Sequence, residues 1–108
     1  MSGTAEPQIS DQPEASRFVI AVDGRPAGQL DYSLEAGLIR FTHAEIGSEH
    51  EGLGLGSSLA AFALDDARAR GLAVIPACPF ISGYIERHSE YLELVPAEFR
   101  PRFGLGDD

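Results

Sequence analysis

Apolar and polar residues alternate with a period of two along the first half of the chain, which predicts three strands. The first strand should cover residues 17–22, the second 27–34 and the third 38–46. Residues 23–26 (DGRP) and 35–37 (EAG) have turn composition between these strands. Consecutive strands should therefore pair as antiparallel hairpins.

The third predicted strand carries most of the polar residues with chemical potential. Strict alternation would place four side chains on one face: Ile39, Phe41, His43 and Glu45. The other face would then carry Leu38, Arg40, Thr42, Ala44 and Ile46. His43 and Glu45 are thus expected beside two large apolar residues, on the buried side of the sheet.

The second half of the chain changes to helical spacing. Five apolar residues share one face of a predicted helix over 55–70: Leu55, Leu59, Phe62, Ala63 and Ala67. A nearly continuous apolar run over 72–78 predicts a strand covered on both faces. A short helix over 80–88 and a helical turn over 90–94 follow. The crossover from the third strand should be right-handed, so that the strands on either side of the helix are parallel and can splay at their ends.

These elements predict an α/β (α+β) fold in a single small domain. Its central mixed sheet would contain three antiparallel strands plus one parallel strand after a crossover helix, with helices packed on it. Residues 1–16 mix Ser, Pro, Gln and acidic residues, which is typical of a disordered N-terminal tail. The domain should therefore cover 17–95, and a flexible C-terminal tail should cover 96–108.

Charge and cysteine content narrow the class of protein. The 108 residues carry a net charge of −9, and all eight cationic side chains are arginines. Such a chain should repel nucleic acid, and its acidity would either attract cationic partners or serve solubility alone.

Cys78 is the only cysteine, so no intrachain disulfide can form. With no long apolar run and no signal-peptide pattern, we expect a cytoplasmic protein that does not enter membranes.

Three glycines alternate in residues 51–59 (EGLGLGSSL), between the third strand and the helix. Glycines at the start of a helix form a cradle for anions, most often phosphate. A P-loop requires a lysine, which the chain lacks, and the Rossmann spacing would need glycine at Ser57 or Leu59. The spacing fits Gln/Arg-x-x-Gly-x-Gly/Ala with Gly54 and Gly56, although Glu51 occupies the first position. A glycine-rich turn without a ligand is the alternative.

That loop pattern resembles the pyrophosphate loop of the GCN5-related N-acetyltransferases, and other segments extend the resemblance over about 17–95. Residues 41–46 (FTHAEI) resemble the family's His-Thr-Glu-Val strand, with Ala44 at the threonine position. Residues 75–81 (IPACPFI) resemble a Pro-x-Cys-Pro-Phe segment, and 88–91 (HSEY) a His-Pro-Glu-Tyr segment. The order and spacing are those of the minimal members, which have about 90 residues.

The resemblance implies that acetyl-CoA, or coenzyme A, is the ligand and that no metal is needed. The pyrophosphate would bind backbone amides of Leu53, Gly54, Leu55, Gly56, Ser57 and Ser58. The pantetheine arm would pair with the third strand at Ala44, Glu45 and Ile46. The acetyl group would end near Cys78, with Phe80 and Tyr84 close by. The 3′-phosphate would meet one of four cationic side chains: Arg68, Arg70, Arg87 or His88.

Acetyl transfer to an amine requires groups that handle protons. His43 or Glu45 could take the proton of the amine, while Cys78 could attack the thioester or, with Tyr84, protonate the leaving thiolate. Three of these four residues also have a structural interpretation: Cys78 as a buried cysteine, His43 as a hydrogen-bonded strand histidine and Tyr84 as a core tyrosine. Minimal members lack the elements that build the acceptor site in larger relatives, so this site would be open or completed by a second subunit, in a monomer or a homodimer.

The acceptor should be a lysine side chain of a protein or a small-molecule amine. Two other functions remain open: a module that binds CoA or acyl-CoA with little turnover, and an interaction domain that keeps the fold without the ligand. Binding of CoA would separate the last from the other two.

Overall fold

A computed structural model describes residues 7–47 and 54–105 of the chain. In these residues we number the strands β1 (Gln8–Gln12), β2 (Arg17–Val22), β3 (Arg25–Glu35), β4 (Leu38–Ile46) and β5 (Ala73–Pro76). The helices are α1 (Leu55–Ala69) and α2 (Pro79–Arg87). Short 3-10 turns cover Pro13–Ala15, Ser89–Leu94, Ala97–Phe99 and Pro101–Phe103. The strands and helices expected between residues 17 and 88 are confirmed to within a few residues.

The described strands form one mixed sheet in the order β1-β2-β3-β4-β5. The first four are antiparallel to their neighbours, whereas β5 lies parallel to β4 after the crossover through α1. The predicted α+β class with a mixed sheet is confirmed, with one antiparallel strand more than expected. None of the helices in the described part of the chain is long and apolar enough to span a membrane.

One apolar core lies between the sheet and the helices. Fully buried residues of the strands, among them Phe18, Leu30 and Phe41, pack with buried residues of both helices, among them Leu59 and Ile81. Helix α1 buries the face that helical spacing indicated, except for Phe62. The Phe62 ring is 41% exposed and lies edge-on to Phe18, with 6.0 Å between the ring centroids.

Strand β1 corrects the prediction of a disordered N-terminal tail. It pairs with β2 over five residues, from Gln8↔Ala21 to Gln12↔Arg17. Asp11 accepts a hydrogen bond from the Tyr32 hydroxyl and lies 3.8 Å from Arg70, and Ile9 packs against the core. The strand therefore carries one large apolar residue, too little for composition to reveal it. The first six residues of the expected tail lie outside the described residues.

The expected flexible C-terminal tail also packs on the domain as far as residue 105. Leu105 is buried, and Phe99 and Phe103 are half-buried against the core. The Arg100 guanidinium donates a hydrogen bond to the carbonyl of Val95 at 2.9 Å, which closes the turn. Large apolar residues separated by polar ones and prolines hold this segment without any regular period. Residues 106–108 lie outside the described part.

Candidate functional site

The parallel strands β4 and β5 separate partway along their length. They pair only from Leu38↔Ala73 to Phe41↔Pro76, and the last link is the Cys78 N–H, which donates to the Phe41 carbonyl at 2.9 Å. The chain then enters α2 at Pro79, while β4 continues to Ile46. The segment 42–46 therefore faces a gap, as the splay expected from the crossover predicted.

A β-bulge at Thr42 changes which side chains face that gap. The pairing passes from Tyr32↔Phe41 to Asp31↔His43, so that Thr42 has no partner of its own in β3. An extra residue reverses the alternation beyond it. Ala44 and Ile46 consequently turn towards the core and are half-buried.

The same bulge corrects the expected position of His43 and Glu45. Their side chains lie on the outer face of the sheet, 61% and 70% exposed, with 3.7 Å between His43 Nε2 and Glu45 Oε1. The expectation that they share a face with Ile39 and Phe41 is wrong, because strict alternation stops at Thr42. The two residues do lie together, as predicted, but in contact with solvent.

Backbone groups of β4 are directed into the gap. The Gly47 N–H donates to the Ala27 carbonyl at 2.8 Å, which makes this a hydrogen-bonded pair of the antiparallel ladder. Hydrogen-bonded and non-hydrogen-bonded pairs alternate along such a ladder. It follows that the N–H and C=O groups of Ala44 and Ile46 point away from β3 and towards the gap. Within residues 7–47 and 54–105 these groups have no backbone partner outside their own strand pairing, so that an extended ligand could lie along this edge.

The N-terminus of α1 lies at the same end of the gap. Gly54 adopts a left-handed conformation (φ +76°) directly before the helix, and among the described residues other than its chain neighbours no atom lies within 4 Å of the Cβ position there. The Ser58 N–H makes the first intrahelical bond, to the Gly54 carbonyl at 3.1 Å. The N–H groups of Leu55, Gly56 and Ser57 therefore have no partner within the helix and suit an anion. The Leu55 side chain is buried in the core, so only its backbone can contribute.

A cavity of about 270 Å³ joins these parts. Its lining comes from β4 (Ala44, Glu45 and Ile46), from α1 (Gly56 and Leu59) and from Phe80 of α2. Gly56 has a specific steric role here, because a Cβ at this position would lie 2.7 Å from Cζ of Phe80. The absence of a side chain at Gly56 lets the Phe80 ring lie over the first turn of α1.

A family model described as GCN5-related N-acetyltransferase matches residues 17–94, which is most of the chain. The chain belongs to the GCN5-related N-acetyltransferase family. The acetyltransferase fold is also that of a solution structure from Staphylococcus aureus, a GCN5-like protein proposed to be an N-acetyltransferase. That structure gives a TM-score of 0.65 at 22% sequence identity, covering 82% of this chain and 87% of the other. No match was found among curated protein sequences.

Cys78 of this acetyltransferase domain is the residue before α2. Its side chain is 3% exposed and belongs to the core cluster, and its carbonyl accepts hydrogen bonds from the N–H groups of Ile81 and Ser82. Its backbone N–H marks the point where β4 and β5 separate. The predicted location at the gap is therefore correct, and the thiol is in an apolar environment.

Tyr84 lies in the middle of α2, and its ring stacks on His88 with 4.1 Å between the ring centroids. Burial raises the pKa of the Tyr84 hydroxyl, the charges of Glu90 and Asp65 raise it further, and Arg87 opposes them in part. A tyrosine with a raised pKa remains protonated throughout the neutral range. Its phenol can therefore donate a proton or a hydrogen bond.

Arg68 and Arg70 lie far from the gap, which corrects their candidacy for the 3′-phosphate. Arg70 forms an ion pair with Asp66 at 3.0 Å, and Arg68 contacts Glu93 at 3.2 Å and the Glu90 carbonyl at 2.7 Å. With a rise of 1.5 Å per residue, they lie roughly 18 Å or more along α1 from Gly56. Arg87 and His88, at the end of α2, remain candidates.

Sequence reasoning missed Leu59 and the outer-face position of Glu45 as parts of the site. Helical spacing identified Leu59 as a core residue, and nothing in the pattern showed that it also lines a cavity. Leu53, a predicted pyrophosphate contact, lies outside the described residues. Ser57 and Ser58 are exposed at the start of α1, where the loop pattern placed them. No cluster with the composition of a metal site occurs in the ranges 7–47 and 54–105.

Proposed function

We propose that this acetyltransferase domain transfers an acetyl group from acetyl-CoA to a primary amine. The observation that carries the proposal is the free edge of β4 at Ala44 and Ile46, which faces the N-terminus of α1 across the 270 Å³ cavity. This arrangement suits a ligand with an extended, amide-containing arm and an anion at one end. The strand edge offers N–H and C=O groups that can hydrogen-bond the amides of the arm, and the helix offers free N–H groups for the anion.

The residues present fit coenzyme A at two points. Gly54 and Gly56 leave the entrance of α1 without side chains that would cover its N–H groups. The cavity behind them has an apolar lining from Ala44, Leu59 and Phe80. Acetyl-CoA, when bound, supplies an acetyl thioester. The N–H groups of Ala44 and Ile46 would hold the arm, and those of Leu55, Gly56 and Ser57 would hold the pyrophosphate.

Proton handling then falls to two groups of this chain. The Glu45 carboxylate would accept the proton of the amine, since Glu45 is a lining residue of the cavity and its side chain remains in contact with solvent. The Tyr84 phenol or the Cys78 thiol would provide the proton for the leaving sulfur. A lysine side chain or a small amine would be the acceptor, in keeping with the net charge of −9.

Isothermal titration of CoA and of acetyl-CoA into the protein tests the binding half of this proposal. We expect saturable binding of both, followed by acetylation of an amine such as cadaverine in a coupled assay. Binding without turnover would instead indicate a module that binds acyl-CoA. If neither CoA nor acetyl-CoA binds at about millimolar concentration, the domain is an interaction module on the same fold.

Two substitutions at Gly54 should separate the need for a left-handed backbone conformation from the effect of adding a side chain. Gly54→Val should weaken CoA binding and lower the free energy of unfolding by about 1–2 kcal/mol, because a β-branched residue is strained at positive φ. Gly54→Asn is the matched control, since asparagine tolerates the left-handed conformation. Titration calorimetry and urea unfolding measure the two effects. Equal behaviour of both variants would contradict the role of the Gly54 conformation.

Gly56→Ala should change ligand binding without destabilising the protein. The new methyl group must displace the Phe80 ring, which lies at the surface and can swing away, while alanine favours the helix. Loss of roughly 1 kcal/mol of apolar contact would weaken CoA binding about fivefold.

Phe80→Leu provides the background that identifies the cause. If Gly56 acts by making room for Phe80, then Gly56→Ala should have little effect on CoA affinity in Phe80→Leu, so the two substitutions are not additive. Additive losses in titration calorimetry would show that the Cβ of residue 56 acts on the ligand directly.

A further inference from the structure

The outer face of the sheet carries a second, larger cleft. It has a volume of about 470 Å³ and is lined by residues of four strands, among them Gln12, Arg17, Val19, Gln29 and Glu45. The registers of the sheet place Val19, Gln29 and Glu45 side by side across β2, β3 and β4. The cleft therefore lies on the face opposite to the helices, where it opens to solvent.

Glu45 connects this cleft with the cavity proposed for acetyl-CoA, because it lines both. A ligand in the outer cleft would therefore lie on the other face of β4 from this cavity, on the face that carries the exposed Glu45 side chain.

The charges around the cleft favour a cation. The Arg17 guanidinium is neutralised by Asp31 at 3.2 Å, and the Gln29 amide also donates to that carboxylate at 3.1 Å. The Glu45 carboxylate has His43 at 3.7 Å, and the Glu45 side chain is 70% exposed. An ammonium group would find an anionic partner there, and the Val19 side chain offers an apolar contact for an alkyl chain.

Strand β1 contributes a wall that lies outside the segment matched to the family. The match to the family begins at residue 17, whereas Gln12 belongs to β1 and pairs with Arg17. The side chain of Asp11 fixes β1 to the opposite face through Tyr32 and Arg70. Gln12 is thereby held at the edge of the cleft.

We infer that this outer cleft is the acceptor site and that it takes a primary ammonium group on an unbranched alkyl chain, with β1 as the wall that completes it in a single subunit. The inference rests on the proposed acetyl transfer and adds the place of its second substrate. The ammonium would pair with Glu45, and the alkyl chain would lie across Val19 and Gln29. A free diamine and a lysine side chain share this chemistry.

Filling the cleft from its centre tests the inference. Gln29→Trp should raise KM for cadaverine and for the peptide Gly-Lys-Gly at least about tenfold, while Kd for CoA stays within about twofold of the parent value. Ser33→Trp is the matched control, on the same strand and the same alternation about 13 Å away. Gln12→Trp, which narrows the cleft from β1, should also raise KM for both amines. A larger rise for the peptide than for cadaverine would identify lysine side chains as the preferred source.

Chemical shifts of backbone amides provide a second measurement that needs no turnover. Titration of cadaverine into isotope-labelled protein should shift the amides of Val19, Gln29 and Glu45, and Gln29→Trp should remove the effect. If KM for amines is equal in Gln29→Trp and Ser33→Trp while transfer persists, the cleft is not the acceptor site although the proposed function stands. If CoA fails to bind, the proposed function falls. In that case the amide shifts alone test whether the outer cleft binds an amine, and the absence of shifts would contradict it.

Discussion

Glu45→Gln should lower kcat/KM for the amine by about a hundredfold or more, with little change in the affinity for acetyl-CoA. A positioned general base contributes about 10²- to 10⁴-fold to such reactions. Glutamine keeps the size of the side chain but cannot accept the proton. Because the side chain of Glu45 is exposed, the substitution should leave the free energy of unfolding almost unchanged.

His43→Asn is the comparison that tests the assignment. Sequence alone left open whether His43 or Glu45 takes the proton, and the structure brings the two within 3.7 Å of each other. Glu45 lines both the cavity and the outer cleft, whereas His43 lines neither. We therefore expect a much smaller loss in His43→Asn than in Glu45→Gln. The reverse order, measured by steady-state kinetics with titration calorimetry as the binding control, would assign the base to His43.

The positions of His43 and Glu45 show how much of the structure of β4 could be predicted from the sequence. Alternation predicted the strand and its neighbours correctly, because hydrophobic period and turns are local properties. The bulge at Thr42 follows from the pairing of β4 with β3, where Asp31 faces His43 and Tyr32 faces Phe41. Such a shift depends on tertiary contacts, so the sequence could show that His43 and Glu45 lie together but not on which face.

Strand β1 illustrates a second limit. A strand at the edge of a sheet needs few apolar residues, and Gln8, Ser10 and Gln12 are polar. Besides the pairing with β2, the strand is held by a hydrogen bond between Asp11 and Tyr32, which are 21 residues apart. A partner at that separation leaves no periodic signal. The interpretation as a disordered tail was therefore wrong for residues 8–12.

The arginines at the end of α1 show the opposite case. The helix was predicted correctly, but the role expected for its arginines was wrong. The helix was predicted to within a residue, yet cation type alone suggested Arg68 and Arg70 as phosphate contacts. In the structure Arg70 links α1 to Asp11 of β1, and Arg68 links it to the segment 89–94. What a charged side chain binds depends on which residues surround it in the fold. Here those residues come from distant parts of the chain, so the sequence pattern could not show them.

All three tyrosines of the chain are buried, which leads to the second large expected effect. Burial, followed by a hydrogen bond to a carboxylate, raises the pKa of Tyr32 and of Tyr91 to about 12 each. Tyr32 donates to Asp11, and Tyr91 donates to Asp65 at 2.8 Å. In the unfolded chain these hydroxyl groups should ionise near pH 10.

The folded protein should therefore lose stability steeply between pH 10 and pH 12. In that interval the unfolded state binds fewer protons than the folded state, so the free energy of unfolding falls as pH rises. A pKa difference of about two corresponds to about 2–3 kcal/mol for each side chain. The full stability is present below pH 10, and the loss is complete only above the folded pKa of about 12. Together the two tyrosines approach the total stability of a small domain.

Urea unfolding at a series of pH values measures this loss, and tyrosinate absorbance follows ionisation in the same samples. Tyr91→Phe should make the fall in stability less steep, and the same substitution at Tyr32 should do so independently because the two hydroxyls bind different carboxylates. Arg68 lies over the Tyr91 ring at 5.5 Å and can keep that contact with phenylalanine, so the variant should still fold. Ionisation of both tyrosines near pH 10 in the folded protein, without loss of stability, would show that neither hydroxyl is held as described.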